Sequence, residues 1–182
     1  ASYIDVLTGK VRAGQRVAVI GAGGIGFDVS EFLTHERPSP AEDKAAFYAE
    51  WGVDSTLAHR GGLVEPAPAP SSRQVYLLQR TDDKPGRNLG KTSGWAHRAS
   101  LRHKDVEMIA GVTYERIDDA GLHIRIDDQP RLLAVDTIVV CAGQQTRYEL
   151  ADTLAARGIE THVIGGAKRA AELDAKRAIL EA

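Results

Sequence analysis

Gly21, Gly23 and Gly26 stand at G-x-G-x-x-G spacing directly after the apolar run VAVI, and they are the residues of this chain best suited to hold an anion. In that pattern a dinucleotide's pyrophosphate rests on the N-terminus of the following helix, where backbone N–H groups and the helix dipole favour negative charge. The first glycine permits a tight turn, the second clears room for phosphate oxygens, and the third lets helix and strand approach. The expected cradle is Gly21, Ala22, Gly23, Gly24, Ile25 and Gly26.

A second position selects the cofactor. At the tip of the next strand a carboxylate binds a ribose 2′-hydroxyl, whereas a basic residue accommodates a 2′-phosphate. Here the strand QVYLLQ runs straight into Arg80 and Thr81. A guanidinium makes two charge-assisted bonds to phosphate, and a hydroxyl adds another, so NADPH is expected over NADH. Asp82 and Asp83 argue the other way, because either would serve the ribose if the strand ended two residues later. Lys84, Arg87 and Lys91 follow in the loop, as added positive potential or as solvated charge. Trp95 offers an indole that could stack on the ligand or simply pack at a helix start, and Ala142 and Gly143 complete the expected cofactor contacts.

Other chemistries find no support. GRNLGKT at 86–92 is one residue short of a nucleotide-triphosphate loop and follows a polar stretch where that motif follows a strand. The six histidines have no ligand spacing, so no metal is expected, and no G-x-S-x-G nucleophile elbow is present. The single cysteine, Cys141, excludes an internal disulfide and reads as a buried strand thiol. A catalytic residue is not evident, in keeping with a nicotinamide that itself carries the hydride.

These residues need a scaffold. The patterning predicts a short helix at 2–7 capped by Ser2, strands at 16–20, 74–79 and 106–110, and helices at about 24–34 and 95–105. Runs at 112–117, 122–126 and 131–135, separated by acidic or glycine turns, predict an antiparallel meander. The branched run 137–141 predicts a central strand buried on both faces, and a β-like run at 161–166 opens a helix at 170–180. Between 35 and 73 lies a proline-rich insertion with one amphipathic stretch, AEDKAAFYAEWG, which is either functional or a passive excursion. The expected fold is α/β: a Rossmann-like doubly wound parallel sheet with a three-stranded meander, of the glutathione-reductase type. Residues 1–136 are expected to form the NADPH-binding domain, and 137–182 the last central strand and a return segment.

The chain has 182 residues, 43% of them hydrophobic and 26% charged, with a formal charge of −2. That balance points to neither nucleic acid nor an acidic membrane surface as partner. With no spanning run and no signal-peptide core, a cytoplasmic location is expected.

Taken together, SYIDVL, VAVIGAGGIGFDVSEFL, YAEWGVDSTL, LLQR, KPGRNLGKTSGWAHR, GVTYERIDDAGLHI, VVCAGQ and VIGGAKRAAELDAKRAI resemble the pyridine-nucleotide portion of bacterial NADPH-dependent 2,4-dienoyl-CoA reductases. The resemblance covers nearly the whole chain, insertion included. It implies a multidomain flavoprotein in which electrons pass from NADPH to FAD, through an iron–sulfur cluster to FMN, and on to an unsaturated acyl-CoA of fatty-acid β-oxidation. It also implies that Gly21 to Gly26 hold the pyrophosphate, that Arg80 and Thr81 hold the 2′-phosphate, and that 163–172 returns to the FAD domain with Gly165 and Gly166 near the flavin. This chain shows no barrel, no cysteine cluster and no first FAD glycine motif, so it is expected to be a domain lacking full activity by itself, with the FAD and barrel domains as partners. The alternatives are an ADP-binding domain of a trimethylamine-dehydrogenase-like or enone-reductase flavoprotein, and a non-catalytic nucleotide-binding module.

Overall fold

Branched apolar residues in alternation build the central sheet, seen in a computed structural model that describes residues 1–35, 39–171 and 175–182. Strand β1 (Arg16–Ile20) pairs in parallel with β2 (Gln74–Leu78) and β7 (Thr137–Val140), and β2 pairs in parallel with β3 (Glu107–Ile109). The strand order is β3-β2-β1-β7. Because side chains alternate between faces, Val17, Val19, Val75, Leu77 and Val139 meet helices, whereas Ala18, Tyr76, Leu78 and Ile109 face the other way. The helical side comprises α1 (Tyr3–Leu7), α2 (Gly24–Thr34) and α4 (Gly94–His103), which contribute Val6, Phe27, Val29, Leu33 and Leu101. Each of these large side chains contributes about 1.5–3 kcal/mol on burial.

The opposite face is covered by the antiparallel meander β4 (Thr113–Asp118), β5 (Gly121–Ile126) and β6 (Gln129–Leu133). Leu122, Ile124 and Leu133 supply its buried face. Outside the core, Arg131 joins the two layers, pairing with both carboxylate oxygens of Glu107 at 2.6 and 2.9 Å. The β5–β6 turn uses only Asp127 and Asp128, both at positive φ, as a two-residue hairpin requires. Strand β6 therefore begins at Gln129, earlier than the expected 131, and contains Pro130, which an edge strand tolerates.

The insertion 35–73 folds as a 3-10 turn at Pro40–Glu42, helix α3 (Lys44–Trp51) and a second 3-10 turn at Arg60–Gly62; its expected Pro38 lies outside the described residues. Asp43 caps α3 through Ala45 N–H at 2.8 Å and Ala46 N–H at 3.1 Å. Asp54 ties the next loop, accepting from the backbone and side chain of Thr56 at 2.9 and 2.6 Å and of His59 at 2.8 and 2.9 Å. These donors hold its carboxyl well below the usual range. The proline-rich return is anchored by the buried Lys104, which donates to the Ala69 carbonyl at 2.8 Å.

Two compact units emerge, Ala1–Ala142 and Gly143–Ala182. Strand β7 lies in the first, although the sequence grouped it with the C-terminal segment. It ends the strand order, flanked on its outer side by the N-terminal residues Ala1 and Ser2, and Val140 is 45% exposed, which corrects the expected burial on both faces. The second unit contains α5 (Glu149–Ala155), which the sequence reading missed, and α6 (Gly165–Lys168) and α7 (Ala175–Leu180). Among the described residues the β-like run 161–166 forms no strand, and Gly165 and Gly166 instead open α6. Of the helix expected at 170–180, Ala175–Leu180 is observed, while Glu172, Leu173 and Asp174 lie outside the described residues. Among the described residues no helix is long and apolar enough to cross a membrane.

Candidate functional site

At the C-terminal edge of the parallel strands the chain turns sharply from β1 into α2, and a cleft of about 290 Å³ opens over the turn. Gly21 makes the turn at φ +109°, with its N–H donated to the Leu78 carbonyl at 2.8 Å. A side chain there would press on Cys141 and Ala142 at 3.1 Å. Gly26 is the point of closest packing: a Cβ on it would be driven into the carbonyl oxygen of Gly21 and would lie 3.3 Å from Leu77 Cδ1. Gly23 and Gly24, by contrast, face open space, so the missing side chains leave room for a ligand.

The helix begins without a side-chain cap, since Gly23 is its N-cap, and its first turn holds no acidic residue. Its ladder opens with Phe27 N–H donating to the Gly23 carbonyl at 3.1 Å. The N–H groups of Gly24, Ile25 and Gly26 precede that bond and have no intrahelical acceptor. Donors, dipole and open space coincide, which is what an anionic pyrophosphate requires.

The far wall of the cleft comes from the loop after β2. Arg80, Thr81, Lys84, Gly86, Arg87 and Leu89 line it, facing Gly21, Ala22, Gly23, Gly24 and Ala142. Gln79 fixes the start of this loop by donating from Nε2 to the carbonyls of Thr81 and Asp83. Arg98 of α4 holds its middle through the Gly86 carbonyl at 2.9 Å. The two competing acids are accounted for: Arg87 pairs with the Asp83 carboxylate, and Asp82 sits against Gly111, outside the cleft lining. Arg80 has no hydrogen-bond or ion-pair partner among the described residues, and its guanidinium is exposed.

The expected site residues therefore divide. Gly21, Ala22, Gly23, Gly24, Arg80, Thr81 and Ala142 are brought together around the cleft, with Ile25 packed against the core beside them and Gly26 behind the turn. Lys91 and Trp95 are not in that lining; the Trp95 ring packs edge-on against Trp51 of the insertion at 6.1 Å. Gly143, Gly165 and Gly166 belong to the second unit. There the Gly165 N–H is already taken by Glu181 Oε2 at 2.7 Å, so it is not a free amide for a further phosphate. Tyr114 of β4 lines the cleft and was not anticipated, because nothing in a meander strand's alternation marks one aromatic as ligand-facing. Cys141 lies buried beneath the turn, and burial pushes its thiol up to about 11.

The family described as pyridine nucleotide-disulphide oxidoreductase matches residues 4–175. A metal reductase of Desulforamulus reducens is 23% identical over 163 residues, covering 90% of this chain and 23% of that protein. Among solved structures, a 2-naphthoyl-CoA reductase in complex with 2-naphthoyl-CoA superposes with a TM-score of 0.68 at 18% identity, over 100% of this chain and 22% of that one. The 6-hydroxypseudooxynicotine amine oxidase of Pseudomonas geniculata N1 gives 0.66 at 17% identity, over 99% and 23%. Histamine dehydrogenase of Rhizobium sp. 4-9 gives 0.60 at 15% identity, over 94% and 23%. The chain thus spans about a quarter of the length of these proteins, and at such identities the structural likeness establishes the fold.

Proposed function

Because this chain belongs to the pyridine nucleotide-disulphide oxidoreductase family, a flavin-linked oxidoreductase group, we propose that it is the NADPH-binding portion of a 2,4-dienoyl-CoA reductase-like enzyme, passing hydride from NADPH to FAD. The observation that carries the reading is Arg80, a cation without a hydrogen-bond or ion-pair partner among the described residues, on the rim of a cleft whose floor is an uncapped helix N-terminus. The residues fit the cofactor, since Gly23 and Gly24 leave the cradle open where a Cβ would fill it. When bound, NADPH supplies the hydride, and this chain's own groups bind and orient it.

The work of the chain is electrostatic. The first-turn amides Gly24, Ile25 and Gly26 donate to the pyrophosphate, and Arg80 with Thr81 takes the 2′-phosphate. Lys84 adds positive potential, while Arg87 neutralises Asp83, the acid that would otherwise repel that phosphate. In this reading FAD, FMN and a 4Fe–4S cluster are held by other parts of a longer parent protein, whose FAD and barrel domains are the partners of this chain. The acyl-CoA substrate class rests on the sequence resemblance, with support from a neighbouring fold whose bearer is a 2-naphthoyl-CoA reductase. The alternative of an ADP-only site gives Arg80 no 2′-phosphate to bind.

Calorimetric titration tests the reading. Arg80→Ala is expected to weaken NADPH binding about 10- to 100-fold, the scale of about 1.5–3 kcal/mol for a charged hydrogen bond, and to leave NADH nearly unchanged. Equal losses for both cofactors would remove the phosphate role from Arg80.

A further inference from the structure

Tyr114 is an anomaly in the cleft. Its ring belongs to β4, the first strand of the meander, yet the side chain lines the cavity together with Arg80, Thr81 and Lys84. Its hydroxyl is buried and has no hydrogen-bond partner among the described residues. A tyrosine with a buried hydroxyl ordinarily finds an acceptor, because the phenol gave up water to be there. A phenylalanine would fill the same space without that cost.

The surroundings define the missing acceptor. Burial pushes the phenol up to about 12, while the charge of Arg80 pulls weakly the other way. The hydroxyl therefore keeps its proton through the neutral range and can act as a donor. The cleft wall carries the cations Arg80, Lys84 and Arg87, the hydroxyl of Thr81 and the amides of Gln79 and Asn88, none of them bonded to the phenol, and its one acid, Asp83, is engaged by Arg87. A group that accepts hydrogen bonds and is drawn to cations is a phosphate. Arg80, exposed and without a hydrogen-bond or ion-pair partner among the described residues, lines the same cleft and can meet the same anion.

We propose that Tyr114 is a second determinant of cofactor choice, donating its hydroxyl to the 2′-phosphate of the adenosine ribose alongside Arg80. The inference rests on the NADPH reading of the cleft and adds to it a residue from the meander. It gives the meander a part in recognition besides covering the sheet. The phosphomonoester is then held from two layers of the fold, by the loop after β2 and by β4.

The test is titration of the full chain with NADPH, NADH, 2′,5′-ADP and 5′-AMP, for the unsubstituted protein, Tyr114→Phe, Arg80→Ala and the double variant, with thermal melting alongside. For Tyr114→Phe about a tenfold loss is expected for NADPH and 2′,5′-ADP, with NADH and 5′-AMP unchanged. Melting should be unchanged or higher, since an unsatisfied hydroxyl is removed. The double variant should lose less than the product of the two single losses, as expected for two donors sharing one phosphate. Retained NADPH affinity in Tyr114→Phe, beside an intact preference in the unsubstituted protein, would overturn the role of Tyr114 alone. Equal losses for NADPH and NADH would also overturn it, by moving the contact to a part the cofactors share. An unsubstituted protein with no preference for NADPH would overturn the reading of the cleft itself, and this inference with it.

Discussion

The two compact units use apolar residues in opposite ways. In Ala1–Ala142 the sheet has both faces covered, and side chains such as Phe27, Leu77, Leu122 and Ile124 are fully out of water. In Gly143–Ala182 no hydrophobic side chain is buried among the described residues; Leu150 is 70% exposed and Leu180 is 76% exposed. A segment of some 40 residues cannot enclose a core without help, whereas three layers around a parallel sheet can. The difference teaches where precision in this molecule comes from: a ligand cradle accurate to fractions of an ångström needs walls already fixed by packing, and only the first unit has them.

The strongest way to break this comparison is Gly26→Val. With Gly21 O and Leu77 in the way, the variant should lose about 3 kcal/mol or more of stability in urea unfolding, since neither backbone nor core can yield. An unchanged midpoint would mean that the first unit is looser than its packing implies.

Acidification asks whether the insertion shares that rigidity. The Asp54 carboxyl titrates lower in the folded chain than in the unfolded one, so its stabilisation is complete above the unfolded value near 4 and fades as pH falls toward the folded one. Protection factors at the Thr56 and His59 amides, taken relative to the intrinsic exchange rate at each pH, should therefore hold at pH 5 and fall below about pH 4. Protection that stays flat into stronger acid would show that Asp54 does not tie the loop.

The smallest effect is expected at Leu150→Ala, within about 0.5 kcal/mol by the same unfolding measurement, as for an exposed position. A loss above about 1.5 kcal/mol would reveal a core in the second unit and erase the contrast.

Legibility in the sequence follows the same division. Strand β1 and helix α2 occupy the residues their patterns predicted, because alternation in VAVI and the glycine turn are local signals reinforced by packing. That Gly21, Gly23 and Arg80 lie around one cleft was legible for the same reason: turn geometry and a strand tip sit at fixed offsets along the chain. For Trp95 the sequence left ligand stacking and packing both open, and Tyr114 it did not single out, since their neighbours, Trp51 for one and the loop after β2 for the other, are brought in by tertiary contacts across tens of residues. In the second unit α5 is too short for its Leu150 and Leu154 to register as a period, and 161–166 has strand-like composition, which is a weak guide without its tertiary setting.

The lone sulfur, Cys141, gives the cleft a built-in reporter. It lies directly under the glycine turn, shielded, with its proton held to about pH 11, so alkylating reagents at neutral pH find no thiolate. Labelling must wait for the turn to lift off the sheet, and with one cysteine in 182 residues the labelling rate clocks that single event. Anything gripping the turn from above should slow the clock.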